Sequence, residues 1–243
     1  MATFNKIFKD IYTEPLKAEG FKYNSKYGYF FRIINNELIQ YITHISLPYL
    51  EKGIKRYDIF AGTVSIYSES VDKDFLRMAG RCINYYSEIN MSYDMWYTEE
   101  NIIQSIEESV DKTMNLIIPV LNEVVDLNTY ISFRKKTQGL IEISLADEFW
   151  ADSLALIMAD NHDDFQDIFQ RQLEIIKEEL RLNKCGGTYE EHYKLLYDAI
   201  INQTAKSRDR VYQDEELYAK AITEAEHRKC VNLEYLRSMK VIE

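Results

Sequence analysis

Proline and glycine are scarce, 3 and 8 residues in a chain of 243. With so few breakers, and with 46% hydrophobic residues, the composition excludes a disordered or linker-dominated chain. Cysteine is scarce too. Cys82, Cys185 and Cys230 are odd in number and widely spaced, which fits reduced thiols in a cytoplasmic protein better than a disulfide framework. No run of about 18 apolar residues occurs, so no membrane span is expected. The start, Met1 to Lys6, leads into an amphipathic pattern and not into a signal segment.

Positive charge is the minority sign, 29 Lys and Arg against 40 Asp and Glu, for a net charge of -11. The imbalance is uneven: residues 1–135 hold 15 basic against 18 acidic side chains, whereas residues 136–243 hold 14 against 22. Such a field opposes contact with nucleic-acid phosphates or with an anionic membrane, and it permits a basic protein partner. The largest local basic group, Lys52, Lys55 and Arg56, is too small to reverse this. Dinucleotide-binding glycines, a Walker loop, a serine elbow, paired-cysteine knuckles and a zincin helix are all missing. No cofactor is therefore expected.

What the chain does have is tyrosine: 19 Tyr and 11 Phe stand against 2 Trp. A tyrosine ring carries a polar tip, which suits half-buried strand faces and protein-binding surfaces alike. Phe4, Ile7, Phe8, Ile11, Tyr12 and Leu16 recur at helical spacing, with Thr3 as N-cap, Gly20 as stop and Pro15 expected to kink or break the last turn. Aromatic and β-branched runs over 21–24, 27–34, 38–47 and 57–68 read as strands. Asn35-Asn36 supplies a hairpin turn, and Pro48 ends the ladder or marks an edge.

Residues 74–83 are expected to be helical and 91–97 to add an edge strand. Thr98 is the expected N-cap of a helix whose stripe is Ile102, Ile106, Val110, Met114, Ile117 and Leu121, with Pro119 threatening a kink. A short helix follows near 127–135. From about Ser144 the pattern is almost entirely helical, with a capping box at Thr188 to Glu191 and a last helix carrying Leu217, Ala221, Ala225, Leu233 and Leu236. The fold class expected is α+β: an N-terminal helix on a small antiparallel β-meander, followed by a mainly α-helical C-terminal part. Two parts are expected, residues 1–135 with the sheet and residues 136–243 with three or more helices packed on it.

Few residues point to chemistry. Glu224 and His227 share a helix face, as in carboxylate-bridged two-metal bundles, but no second Glu-x-x-His accompanies them. Cys185, His192, His227 and Cys230 are zinc-ligand types without a spacing that joins the two pairs. His162 with Asp163, Asp164 and Asp167 reads as helix-start charge. None of these makes a metal site. Arg32, Gln40, Thr43 and His44 are polar groups inside aromatic strands. Their plain reading is the wet face of a half-buried sheet, and their functional reading is a groove, with a polar cluster including Asp58 or Tyr67 conceivable. The candidates for catalysis are Arg32, to hold an anion, and His44, to move a proton near neutral pH.

Leu16 to Lys22, Phe30-Phe31-Arg32, the strand bearing Gln40, Phe60 to Tyr67 and Ile118-Pro119-Val120-Leu121 together carry a likeness. Over roughly residues 1–135 the chain resembles an uncharacterised bacterial family catalogued as domain of unknown function number 4304. The resemblance implies an α+β domain, a bacterial source and no established activity. Where that family has a Trp-containing stretch after its early strands, Asn84-Tyr85-Tyr86 and Met95-Trp96-Tyr97 stand here. Two functional expectations follow: a non-catalytic protein-binding or accessory module with an unidentified protein partner, or a small-molecule enzyme with a pocket between sheet and helices. The sequence leaves oligomeric state open.

Overall fold

The computed structural model describes residues 3–51, 53–82, 95–137, 154–161 and 215–243. The first helix, α1 (Phe4–Ala18), runs through Pro15 without ending there, so of the expected kink or break the break does not occur. It closes on Gly20 at φ +82°, with the Gly20 amide donating to the Lys17 carbonyl and the Phe21 amide to the Leu16 carbonyl. This pair of bonds is a Schellman cap, which needs a left-handed residue at the glycine position. Thr3 is the N-cap residue but its side chain makes no capping bond.

Four strands follow: β1 (Lys22–Asn24), β2 (Tyr29–Ile34), β3 (Leu38–Glu51) and β4 (Ile54–Ser65). Beyond them come α2 (Lys73–Ala79), β5 (Arg81–Cys82) and β6 (Met95–Tyr97). The antiparallel sheet has the order β1-β2-β3-β4-β5, and β6 also pairs with β4. β1 aligns Lys22 with Phe31, β2 aligns Phe30 with Ile42 and Arg32 with Gln40, and β4 meets β6 at Tyr57 and Met95. Asn35 and Asn36 both have positive φ, 53° and 54°, and the Glu37 amide donates to the Ile34 carbonyl at 2.9 Å. That is the primed turn whose twist suits a hairpin.

The helical run opposite α1 is α3 (Ile102–Lys112), a π-helical turn at Thr113–Ile117, and α4 (Ile118–Asn122). Its N-cap is Asn101, one turn later than the expected Thr98; Asn101 Oδ1 accepts from the Thr98 amide at 2.6 Å and so organises the preceding turn. Pro119 falls at the start of α4, just after the π turn, where a missing amide interrupts least.

Phe8, Tyr12 and Leu16 of α1, Ile106, Val110, Ile117 and Leu121 of the second helical run, and Phe30, Ile42, Tyr57 and Ile59 of the sheet form one buried cluster. These strand residues share one face. The other face is buried as well, since Tyr29, Phe31, Ile39 and Tyr41 are all under a tenth exposed. Tyr41 donates to the Leu76 carbonyl of α2. Its hydroxyl lies 2.7 Å from where a Cβ on Gly62 would stand, so glycine there makes room for the ring.

The chain divides into two compact units: residues 1–64, 70–126 and 233–243, and residues 65–69 with 127–232. In the second unit the described elements are α5 (Leu127–Thr137), a helical turn at 154–158 and most of α6 (Glu215–Ser238). Asn232 of α6 is buried and donates to the carbonyls of Ile66 and Ser68, both at 2.8 Å. The capping box at Thr188 to Glu191, His162 with its carboxylates, Cys185 and His192 lie outside the described residues. The architecture is α+β, with an N-terminal helix, an antiparallel sheet and then mainly helices.

β3 outlasts the expected strand. It continues through Pro48 to Glu51, whereas its pairing with β2 covers only Leu38 to Ile42. Proline lacks an amide hydrogen and is accepted in a strand where its nitrogen faces no neighbour. Position 48 therefore faces away from β4, and by alternation Ser46 and Leu50 do too. Proline at the exposed residue 46 is expected to leave the β4 ladder whole, whereas Ile45→Pro orphans a ladder carbonyl and costs about 1–3 kcal/mol. Urea denaturation of the two variants checks the assignment: equal midpoints would reverse it.

Candidate functional site

Strand alternation puts Arg32, Gln40 and His44 on the α1 face and Thr43 on the opposite one. This is not a wet face: Gln40 is 0% exposed and Thr43 2%. The Arg32 guanidinium donates to Gln40 Oε1 from Nε at 2.8 Å and from Nη2 at 2.6 Å, and to the Glu19 carbonyl from Nη1 at 2.8 Å. It also lies 4.6 Å from the Phe21 ring centroid. Gln40 Nε2 in turn donates to the carbonyls of Leu121, at 2.8 Å, and Val124, at 2.9 Å. Arg32 is thus spent on the end of α1 and, through Gln40, on the end of α4. Burial lowers its pKa, and the Glu19 carboxylate opposes that shift.

His44 stands four residues along β3 from Gln40, roughly 13 Å at strand spacing. Phe30 and Ile42 fill the face between. Its ring packs edge-on against Phe4 and Phe8, with centroids at 4.8 and 4.5 Å. Burial pushes its pKa down to about 4, so the imidazole is neutral at pH 7, and its Nδ1 has no hydrogen-bond partner. The two catalytic candidates share a face but not a site. Thr43 Oγ1 donates to the Gly28 carbonyl at 3.3 Å, and Asp58 lies on the face opposite its β4 neighbours Tyr57 and Ile59. The conceivable polar cluster is therefore not assembled.

What His44 does border is a cleft of about 330 Å³ at the end of the β1–β2 hairpin. One wall is Asn5 and Phe8 of α1 with Tyr23, the other is Tyr29 with Lys73 and Arg77 of α2, and the floor includes Gly28, Ile45 and Ser46. Lys73 lies 5.6 Å from the Tyr29 ring centroid; burial raises the Tyr29 pKa, the Arg77 charge partly offsets this, and the Asp74 carboxylate adds to it. Neither cation has an ion-pair partner among the described residues. A second recess, of about 390 Å³, lies between β6 and α3. Its polar groups are already engaged: Ser105 Oγ donates to the Trp96 carbonyl at 2.9 Å, and Gln104 Nε2 to Glu108 at 3.1 Å. The first cleft therefore has more to offer a ligand.

The tyrosine abundance suits strand faces and binding surfaces alike and points to no particular cleft, and Pro48, expected to end the ladder or mark an edge, lies within β3. Nothing in the sequence joined α2 to them. Among the described residues no group of His, Cys, Asp and Glu could hold a metal; Glu224 accepts from Arg228 Nε at 2.7 Å. No described helix is long and apolar enough to cross a membrane. Compared with protein-family models, curated proteins and solved structures, the chain matches none.

Two measurements test these assignments. Arg32→Met leaves Gln40 Oε1 buried without a donor and is expected to cost about 2–3 kcal/mol, with Arg32→Lys recovering only part, since one ammonium cannot reach both acceptors in that geometry. Chemical denaturation reads both. For His44 the folded pKa lies below the unfolded value of about 6.5, so the unfolded chain binds the extra proton. Stability present above pH 6.5 is lost as pH falls towards 4, by about 3 kcal/mol for this group. His44→Leu is expected to flatten the stability profile over that window, and an unchanged slope would count against the buried neutral imidazole.

Proposed function

We propose that this protein is a non-catalytic protein-binding module whose contact surface is the open run of β3 and the cleft beside it. The observation that supports this reading is the overhang of β3: past Ile42 the strand has no further β2 partner, yet it continues for nine residues to Glu51. An unpaired strand edge is a template for main-chain hydrogen bonding by another chain. Half-buried Tyr23 suits the same role, because a rigid amphipathic ring covers area at little entropic cost. An enzyme using Arg32 and His44 would need both at one substrate, and about 13 Å of packed sheet separates them.

The likeness to the domain of unknown function family belongs to this proposal over residues 1–135 and adds no activity to it. So does a cytoplasmic location, which the odd number and wide spacing of the three cysteines support.

A photo-cross-linking residue at Asn5, in the cleft, tests the reading against the same residue at Glu107, exposed on α3. In extract of the source organism, position 5 is expected to give a discrete protein adduct that position 107 does not give and that Ser46→Pro removes. Equal adducts from both positions, or none from position 5, would overturn it.

A further inference from the structure

Three features of the cleft specify its occupant more closely than a protein partner in general. The first is main-chain direction. Position 48 faces away from β4, so Ser46 offers both its amide and its carbonyl to the open side and Pro48 offers its carbonyl. Pro48 removes one donor from that row, which discourages indiscriminate pairing and leaves a short template.

The second feature is the difference between the two walls. A strand laid against Ser46 places the residue opposite it on the same face as Ser46, the α1 face. There it meets Phe8 and Tyr23. Its neighbours project to the other face, where Tyr29, Lys73 and Arg77 stand. Both walls carry an aromatic ring, but Lys73 and Arg77 together, against Asp74, give the α2 wall the greater cationic charge, where the α1 wall has Lys9 over Tyr23.

The third is charge. Lys73 and Arg77 are exposed, four apart on α2 and without ion-pair partners among the described residues, in a protein of net charge -11. Two unpaired cations beside an open strand edge attract a carboxylate-bearing chain, and the surrounding negative field narrows that attraction to this end of the sheet.

From these we infer that the cleft takes an extended acidic segment of a partner protein. It adds as an antiparallel strand to β3 at Ser46 to Leu50, as the neighbouring strands of this sheet pair, with apolar side chains towards the Tyr23 side and acidic side chains towards Lys73 and Arg77. The inference rests on the binding-module reading above and gives it a ligand chemistry. Residues of the partner that face the α1 side turn their amides to β3, and the acidic ones turn theirs away.

The probe is a fluorescein-labelled eight-residue peptide of alternating Val and Glu with a blocked C-terminus, read by fluorescence polarisation on the full chain. It is expected to bind at least tenfold more tightly than the matching Val and Lys peptide, and Lys73→Glu with Arg77→Glu is expected to reverse that order. N-methylation of the Val amides is expected to abolish binding, and N-methylation of the Glu amides to change it less than threefold. Circular dichroism of the double variant checks its fold, and the four peptides test the inference on the native protein regardless. Equal affinity for the two charges would overturn it, as would tolerance of N-methyl-Val. If the peptides fail while Asn5 still cross-links a protein in a Ser46-dependent way, the acidic-strand inference falls and the binding-module reading stands. Loss of both removes both.

Discussion

A single buried amide holds the sheet end of the first unit together. Gln40 is wholly buried, and an unpaired side-chain amide in that position would cost several kcal/mol. Its oxygen accepts twice from Arg32 and its nitrogen donates to Leu121 and Val124. Both carbonyls lie at the end of α4, where a helix leaves acceptors without intrahelical donors. Arg32 does the same for α1 through the Glu19 carbonyl. Two helix ends and a strand pair thus satisfy one another, and a charge that would be expensive to bury alone is shared among hydrogen bonds. The spatial order of α1 and α4 over the sheet depends on that arrangement.

The same economy recurs deeper in the core. Tyr12 of α1 shares hydrogen bonds with Ser109, at 2.8 Å, and Thr113, at 3.0 Å, while Tyr57 of β4 donates to the Ser105 carbonyl at 2.8 Å. Small hydroxyls at 105, 109 and 113 recur every four residues, so α3 presents one polar line to α1 and the sheet. Each tyrosine places its ring in the apolar cluster and its oxygen on that line, and burial raises both phenol pKa values. The π turn begins at Thr113, the last residue of that line. Register between α1 and α3 is therefore set by directional bonds as well as by shape.

Periodicity exposed most of this to sequence reading, and partner identity did not. The stripe from Phe4 to Leu16, the stripe from Ile102 to Leu121 and the Asn35-Asn36 turn each rest on neighbours along the chain, and each is present. Pro15 suggests a kink or a break because an isolated helix loses a bond there, but α1 does not end at it: the helix packs along its length against the sheet and α3, and packing outweighs one lost bond. For Arg32 and Gln40 the sequence offers a wet face or a functional groove, because polar residues alternate with aromatic ones in half-buried strands. Their true partners are main-chain carbonyls 13 and 81 or more residues away, and no side-chain pattern announces a carbonyl. The cleft was hidden for a related reason: Lys73 and Arg77 sit in a segment far from Tyr23 and Ser46, and only the fold joins them.

Covering both faces of the sheet has a functional consequence. Side chains pointing up or down from the central strands are consumed by packing, as Gln40, Tyr41 and Tyr57 show, so a binding role of the kind proposed falls to the margins. On the far side of β4 the edge carries β5 and β6. β1 is only three residues long, and its Asn24 side chain is taken up by the amides of Lys26 and Tyr27 and the Met239 carbonyl. The overhang of β3 is the margin that keeps a run of backbone groups available among the described residues. On the proposed binding-module reading, a sheet buried on both sides leaves recognition to the place where one strand outgrows its neighbour, and the proline there removes a donor from the row that a partner strand would use.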